Sequence, residues 1–322
     1  RHVFGIEERV DHKGNVLTPL EEAELVRLGD WIETWLTGDP AGDWAVAVNL
    51  LFSYVHPDHE AKIGAYLGER FPDLPVSLSS RVSPIWREYE RGTTTIVDAS
   101  IKRLLARFTD RLSGDLSDLG VTAPLTLMKS NGGHADAATA ADVPVQVFLS
   151  GLAGGVIAGR RFARDHLGGN SVTLDMGGTS ADVGLIIDGE FGSTSEYEVE
   201  WGVPVSALFI DYTTIGAGGG SIADVDSGGF LRVGPKSAGA EPGPACYGRG
   251  GSEPTITDAN VVLGRLDPEY FLGGRMKLQP DLAHQAVAAL AGQLDLGIEE
   301  TALAILDTAA ENMADAIRLM TV

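Results

Sequence analysis

The sequence predicts an α/β protein of two lobes, with mixed sheets and flanking helices. Three observations carry that reading. Residues 44–52, 57–70 and 75–79 alternate strand, helix and strand, the signature of an open sheet covered by helices. Two apolar runs, 171–175 and 181–187, flank a Gly-Gly-Thr turn. At 322 residues the chain is also long for one compact core and comfortable for two.

The elements follow in order. Residues 3–17 read as a hairpin turning at Asp11, His12, Lys13 and Gly14. Thr18, Pro19, Leu20 and Glu21 open a helix to about Leu36, with Thr18 as cap, Pro19 at the first helical position and Glu21 completing a capping box. The mostly apolar run 44–52 reads as a buried strand. A helix over 57–70, a short strand over 75–79 and a helix over 93–108 come next. The polar, turn-rich stretch 114–124 marks the expected boundary, giving a first α/β region of 1–120 and a core lobe of 121–322.

Within the second part, 125–129 reads as a strand before the tight sequence Ser130, Asn131, Gly132, Gly133. A second strand over 145–149 runs into a small-residue helix that starts near Ser150 and reaches His166. The strands 171–175 and 181–187 follow, then a turn at Asp188 and Gly189, with 190–200 pairing back. Residues 214–253 are glycine-dense and predict little regular structure. Helices are expected over 258–264, 279–292 and 298–320. In the last, Ala302, Ile305, Leu306, Ala309, Met313, Ala316, Ile317 and Met320 recur at helical spacing, so one face is expected to be buried. That stripe meets Val322 without a glycine or proline stop signal, which predicts that the parent protein continues.

With 24 basic and 45 acidic residues the net charge is −21. Such a field repels a phosphate backbone, so nucleic acid is not an expected partner. No apolar run has the length of a membrane span, and no membrane partner is expected. Cys246 is the single cysteine, so no internal disulfide can form and a reducing compartment, the cytoplasm, is expected.

The sharpest chemical signal is the run from Thr173 to Val183. An apolar strand delivers Asp175 to its end, Gly177, Gly178, Thr179 and Ser180 make the turn, and a second apolar strand leaves. Glycines let backbone N–H groups approach phosphate oxygens, and the threonine hydroxyl adds a donor. Aspartate can hold Mg²⁺ or orient an attacking group. An ordinary hairpin turn is the competing reading. A second run holds Gly216, Gly218, Gly219, Gly220 and Ser221. It is no dinucleotide fingerprint, because Ser221 stands at the third glycine position, and it lacks the lysine of a P-loop. Its glycines are expected to leave several N–H groups free, although a structural loop fits the same residues.

Other motifs are weaker. The small residues from Ser150 to Gly155 suit either an anion site at a helix start or tight helix–sheet packing. His56, Asp58, His59 and Glu60 suggest a metal, but the order is not that of a zincin, and acidic residues at a helix start are ordinary capping. Cys246 has no nearby histidine to activate it as a nucleophile.

Taken together, the 175–183 motif, the 215–222 glycine run, the segment 233–248, the Pro-Thr-Ile-Thr-Asp-Ala-Asn segment at 254–260 and the Phe-Leu-Gly-Gly at 271–274 resemble the hydantoinase A/5-oxoprolinase family. The segments 53–60 and 88–94 match as well, so the likeness runs through essentially the whole chain in one order. The resemblance implies an actin-like ATPase (ribonuclease H-like) fold that uses ATP and Mg²⁺. It implies ring opening of a hydantoin, N-methylhydantoin or 5-oxoproline through phosphorylation of the amide oxygen, with a hydantoinase B-type subunit or domain as partner in a homo- or hetero-oligomer. On this reading Asp175 and Thr179 are catalytic and Asp175 holds the metal. Gly177, Gly178, Thr179 and Ser180 clamp phosphate, and Gly218, Gly219, Gly220 and Ser221 form a second wall. The rival readings are an ATP-using subunit of an acetone-type carboxylase and a non-catalytic actin-like scaffold domain. Leu152, Ala181 and Thr213 depart from the family pattern, which expects proline, threonine and histidine there. The family's first phosphate loop and its adenosine-binding element are missing from this sequence, so the chain alone is expected to be inactive.

Overall fold

The computed structural model describes residues 2–321. In chain order the elements are β1 (Arg9–Val10), β2 (Val16–Thr18), α1 (Glu22–Gly38), β3 (Val46–Val48), α2 (Asp58–Arg70), β4 (Val76–Leu78), α3 (Ser79–Val82), α4 (Glu88–Asp118), β5 (Thr126–Met128), β6 (His134–Asp136) and α5 (Ala137–Asp142). There follow α6 (Ser150–His166), β7 (Ser171–Met176), β8 (Ala181–Ile187), β9 (Glu190–Phe191), β10 (Ser193–Glu200), β11 (Val203–Ile210), β12 (Tyr212–Ile215), β13 (Ser221–Val225) and β14 (Leu231–Ser237). Three helices close the chain: α7 (Ile256–Val262), α8 (Pro280–Leu294) and α9 (Ile298–Thr321). The architecture is mixed α/β.

The chain divides into two compact units. One comprises the residues up to Gly154 together with Ser193–Ile210; the other comprises Gly155–Gly192 and the residues from Asp211 onward. The stretch 114–124, read from sequence as the boundary, lies inside the first unit.

In the first unit β3 and β4 pair in parallel, with α2 as the crossover between them. Leu25, Leu28, Ile32, Val48, Ile63 and Leu67 form its main core. Beside that core lies a polar network centred on fully buried Glu60 and Arg91. Glu60 accepts from the Leu50 amide at 2.9 Å, the Ser79 hydroxyl at 2.7 Å and the Ser80 amide at 2.8 Å. Arg91 donates to the Asn49 side chain, the Ser79 hydroxyl and the carbonyls of Ile85 and Leu50. A buried charge is tolerable only when its polar atoms are satisfied in this way.

In the second unit the sheet runs β12-β8-β7, with β9 on the end of β8. Helices α7, α8 and α9 pack with β13 and β14 around Ala223, Val233, Ile256, Val287, Leu290 and Ile305. The predicted stripe of α9 is the face that packs: Ala302, Ile305, Ala309 and Ala316 are buried. Complete burial of a side chain such as Ile305 is worth roughly 1.5–3 kcal/mol.

Several expectations change on contact with the structure. Thr18 belongs to β2 and caps nothing; α1 starts after Glu21, without a side-chain cap. The strand expected over 44–52 shrinks to β3 because Leu50 gives its amide to Glu60 and its carbonyl to Arg91. The strand expected at 145–149 is a 3-10 turn, Pro144–Val147: Pro144 has no N–H for a ladder, and the Val145 amide donates to buried Asp98 at 3.0 Å. Residues 193–200 pair with β11, and only β9 pairs back on β8. The glycine-dense 214–253 stretch contains the hairpin β13–β14. The 93–108 helix is the middle of the 31-residue α4.

Candidate functional site

The turn between β7 and β8 gathers the strongest phosphate-binding features. The two strands pair antiparallel, Asp175 opposite Asp182 and Met176 opposite Ala181. Directly opposed residues project from the same face, so the register brings two carboxylates together at the base of the turn. The Gly177 amide closes the turn on the Ser180 carbonyl at 2.8 Å. The next three amides, those of Gly178, Thr179 and Ser180, have no intramolecular acceptor among the described residues. Asp175, Gly177, Gly178 and Thr179 are exposed, and Asp175 has no hydrogen-bond or ion-pair partner among the described residues. Successive free backbone N–H groups in a turn are what anion-binding nests are made of.

Asp182 is the residue that sequence reasoning missed. It is half-buried and accepts a 2.6 Å hydrogen bond from the Thr214 hydroxyl on β12. Burial pushes its carboxyl above the usual carboxylate range; the Thr214 hydrogen bond opposes that shift and the charge of Asp175 adds to it. The signal was available: in a regular hairpin, residues two places outside the closing pair Gly177–Ser180 must face each other, which selects Asp175 and Asp182.

The glycine run does a different job from the one expected of it. The Gly218 amide donates to the Ser221 hydroxyl at 2.9 Å, Gly219 to the Gly177 carbonyl at 2.9 Å, Gly220 to the Gly178 carbonyl at 2.6 Å, and Ser221 to the Gly218 carbonyl at 2.9 Å. All four amides are therefore consumed within the protein, and Gly218, Gly220 and Ser221 are buried. The glycines are needed because two backbones meet: a Cβ on Gly218 would lie 2.5 Å from the backbone nitrogen and carbonyl carbon of Thr179. Pairing of β12 with β8, Ile215 opposite Ala181, delivers the run to this position. The run is a brace behind the turn.

The brace is itself held. Thr257 donates from its amide and its hydroxyl to the Gly219 carbonyl at 2.9 and 2.8 Å. Its neighbour Asp258, fully buried, accepts from the amides of Ala245, Cys246 and Thr255 and from the Thr255 hydroxyl. The Thr-Ile-Thr-Asp segment thus connects the N-terminus of α7 to the turn through the glycine run.

The weaker motifs resolve as structural. Burial, reinforced by the nearby charge of Asp258, pushes the Cys246 thiol far above its ordinary range, the opposite of nucleophile activation. His59 Nδ1 pairs with Glu8 at 2.7 Å, and among the described residues no group of three metal-binding side chains exists. Gly159, beyond the Ser150–Gly155 motif, lets α6 lie directly on Thr173 of β7, while a Cβ on Gly151 would meet nothing within 4 Å. Gly155 lies close to Asp175, where a Cβ would stand 3.6 Å from its Oδ2. Residues 130–133 are the turn between β5 and β6. No described helix is long and apolar enough to cross a membrane.

The hydantoinase/oxoprolinase family model matches residues 91–322, and the model of that family's N-terminal region matches residues 1–71. A protein of Methanocaldococcus jannaschii is 38% identical over the whole of this chain, which covers 48% of that relative. The caprolactamase alpha subunit of Pseudomonas jessenii is 36% identical over 98% of this chain and 44% of its own length. Among solved structures, nucleotide-free acetone carboxylase superposes with a TM-score of 0.83 at 28% identity, covering 98% of this chain and 44% of that one. The chain spans less than half the length of these relatives.

Proposed function

The chain belongs to the hydantoinase/oxoprolinase family, and from that premise we propose that it is the phosphate-binding part of an ATP-dependent enzyme that opens cyclic amides. The observation that carries the reading is the row of three unpaired amides, Gly178, Thr179 and Ser180, beside the Asp175–Asp182 pair. The proposed fold type is that of the actin-like ATPases.

The residues fit Mg²⁺ with a nucleotide phosphate. Asp175 offers an exposed carboxylate with both oxygens free, and hard cations of this kind take one or two carboxylates plus phosphate oxygens. Bound there, magnesium ATP would supply the phosphoryl group that converts an amide oxygen into part of a leaving group. The amides of Gly178, Thr179 and Ser180 and the Thr179 hydroxyl would supply donors to the nucleotide's phosphate oxygens, a form of preorganised electrostatic stabilisation. Asp175 would hold the cation, and Asp182, hydrogen-bonded to Thr214, keeps a second carboxyl beside Asp175. The brace at 218–221 holds the turn so that its donors need no rearrangement on binding. A hydantoinase B-type partner, a cytoplasmic location and assembly into oligomers belong to the same proposal.

The likeness to acetone carboxylase favours a second reading, an ATP-using carboxylase subunit in which a ketone oxygen takes the place of the amide oxygen. One assay separates the two. The full-length protein is given Mg-ATP with hydantoin, N-methylhydantoin, 5-oxoproline or caprolactam, and separately with acetone plus bicarbonate, and ADP release is followed. Stimulation by a cyclic amide supports the first reading. Stimulation by ketone and bicarbonate alone replaces it with the second.

A further inference from the structure

We propose that the first unit carries a separate binding site for a small organic monocarboxylate with an apolar body. The proposal rests on a cleft of 520 Å³, within the range of ligand pockets, formed by the segment after α3, the β5–β6 turn and the strands β10 and β11. It is independent of the reading of the Asp175 turn.

The charge of the lining is the first argument. Two cations, Lys129 and Arg87, and one carboxylate, Glu196, line the cleft. Arg87 and Glu196 are paired at 2.5 Å. Lys129 is half-buried and has no ion pair or side-chain hydrogen bond among the described residues. The cleft therefore presents one uncompensated positive charge on a protein whose net charge is −21. Beside it, Asn131 spends its carbonyl oxygen on the Gly133 amide at 2.9 Å, which leaves its NH₂ donors for the cleft. A carboxylate uses one cation and several N–H donors at once.

The cleft wall also holds a polar group without a partner. Ser206, 7% exposed, lies in the cleft wall, and its hydroxyl is buried without a hydrogen-bond partner. Native proteins satisfy the large majority of such groups, and a ligand oxygen or a water would complete this one. Its backbone is firmly held: the amide donates to the Thr94 hydroxyl at 2.8 Å, and the carbonyl accepts from the Ser83 hydroxyl at 2.9 Å.

The cleft has an apolar wall as well. Trp86 and Leu208 line the cleft and are 67% and 55% exposed. Large apolar surface next to a lone cation suits a ligand whose charged end meets Lys129 and whose ring or chain covers the wall. A doubly charged phosphate would gain nothing from that wall.

Isothermal titration of the whole chain with benzoate tests the proposal, with benzamide as the neutral ligand of the same shape. The expected result is saturable benzoate binding, at least about tenfold tighter than benzamide, as a charge-assisted hydrogen bond predicts. Lys129→Met should erase that preference, and it should fold normally because the ammonium has no partner to lose. Trp86→Ala should weaken both ligands by a similar factor. Equal affinity for benzamide, unchanged benzoate affinity in Lys129→Met, or no saturable binding of benzoate to the folded wild-type chain would each overturn the assignment.

Discussion

Two polar clusters in this molecule use their hydrogen bonds in opposite ways. The network around Glu60 and Arg91 turns its hydrogen bonds inward: amides, hydroxyls and carbonyls meet two fully buried charges. The turn at 177–180 commits the carbonyls of Gly177, Gly178 and Ser180 but only one of its four amides. Three of its amides and the carboxylate of Asp175 are left to solvent, while the glycine run behind it is fully bonded. The comparison separates residues that hold a fold from residues that meet a ligand by where their hydrogen bonds end, which residue type alone does not reveal.

The largest effect that would break this contrast is at Arg91. Replacing it with methionine leaves the Leu50 and Ile85 carbonyls, the Asn49 side chain and the Ser79 hydroxyl without their donor. Each buried polar group left unsatisfied costs about 1–3 kcal/mol, so urea denaturation of Arg91→Met should show a large drop or no folded first unit. Unchanged stability would mean that the network is solvent-accessible.

Next comes Gly218. A Cβ there meets the Thr179 backbone at 2.5 Å, so Gly218→Ala forces the brace and the turn apart. A cost of about 1–3 kcal/mol is expected from overpacking, together with faster hydrogen exchange at the Gly219 and Gly220 amides. Slow exchange at both in the variant would show that the brace does not depend on this close approach.

A smaller stability effect with a larger functional one is expected at Asp175. Exposed and without a partner, it should change stability by no more than about 0.5 kcal/mol as asparagine. In the full-length protein the same change should lower substrate-dependent ATP hydrolysis by about a hundredfold or more. Normal melting with retained turnover would remove Asp175 from the proposed machinery. The smallest expectation is at Cys246, whose buried, upward-shifted thiol should resist iodoacetamide in the native protein and take up one equivalent once unfolded. Rapid native alkylation, read by mass, would contradict the structural role.

Much of this was legible in the residues. The long helices were readable because their apolar spacing is strong, as in α9, and the β7–β8 hairpin because alternating strands flank an obvious turn. What stayed hidden had long-range causes. Leu50 leaves its strand because Glu60 and Arg91 claim its backbone, and Val145 leaves its own because Asp98 does. The hairpin β13–β14 hides in a glycine-rich stretch whose close contacts, such as Gly216 against Pro235, exist only once the fold has formed. In the candidate site, Asp175 and the glycines announced themselves by type. Asp182 was recognisable only through the pairing register, and the bracing role of Gly218 and Gly220 only through the backbone they touch.

Backbone-amide NMR titration of this chain with Mg-ATP at millimolar concentration distinguishes a phosphate-binding turn from a structural one. Saturating shifts are expected at the amides of Gly178, Thr179 and Ser180, abolished by Asp175→Asn, with the Leu50 and Ser80 amides of the Glu60 network unmoved. Shifts confined to residues outside the 175–182 hairpin, or none at saturating nucleotide, would contradict phosphate binding there.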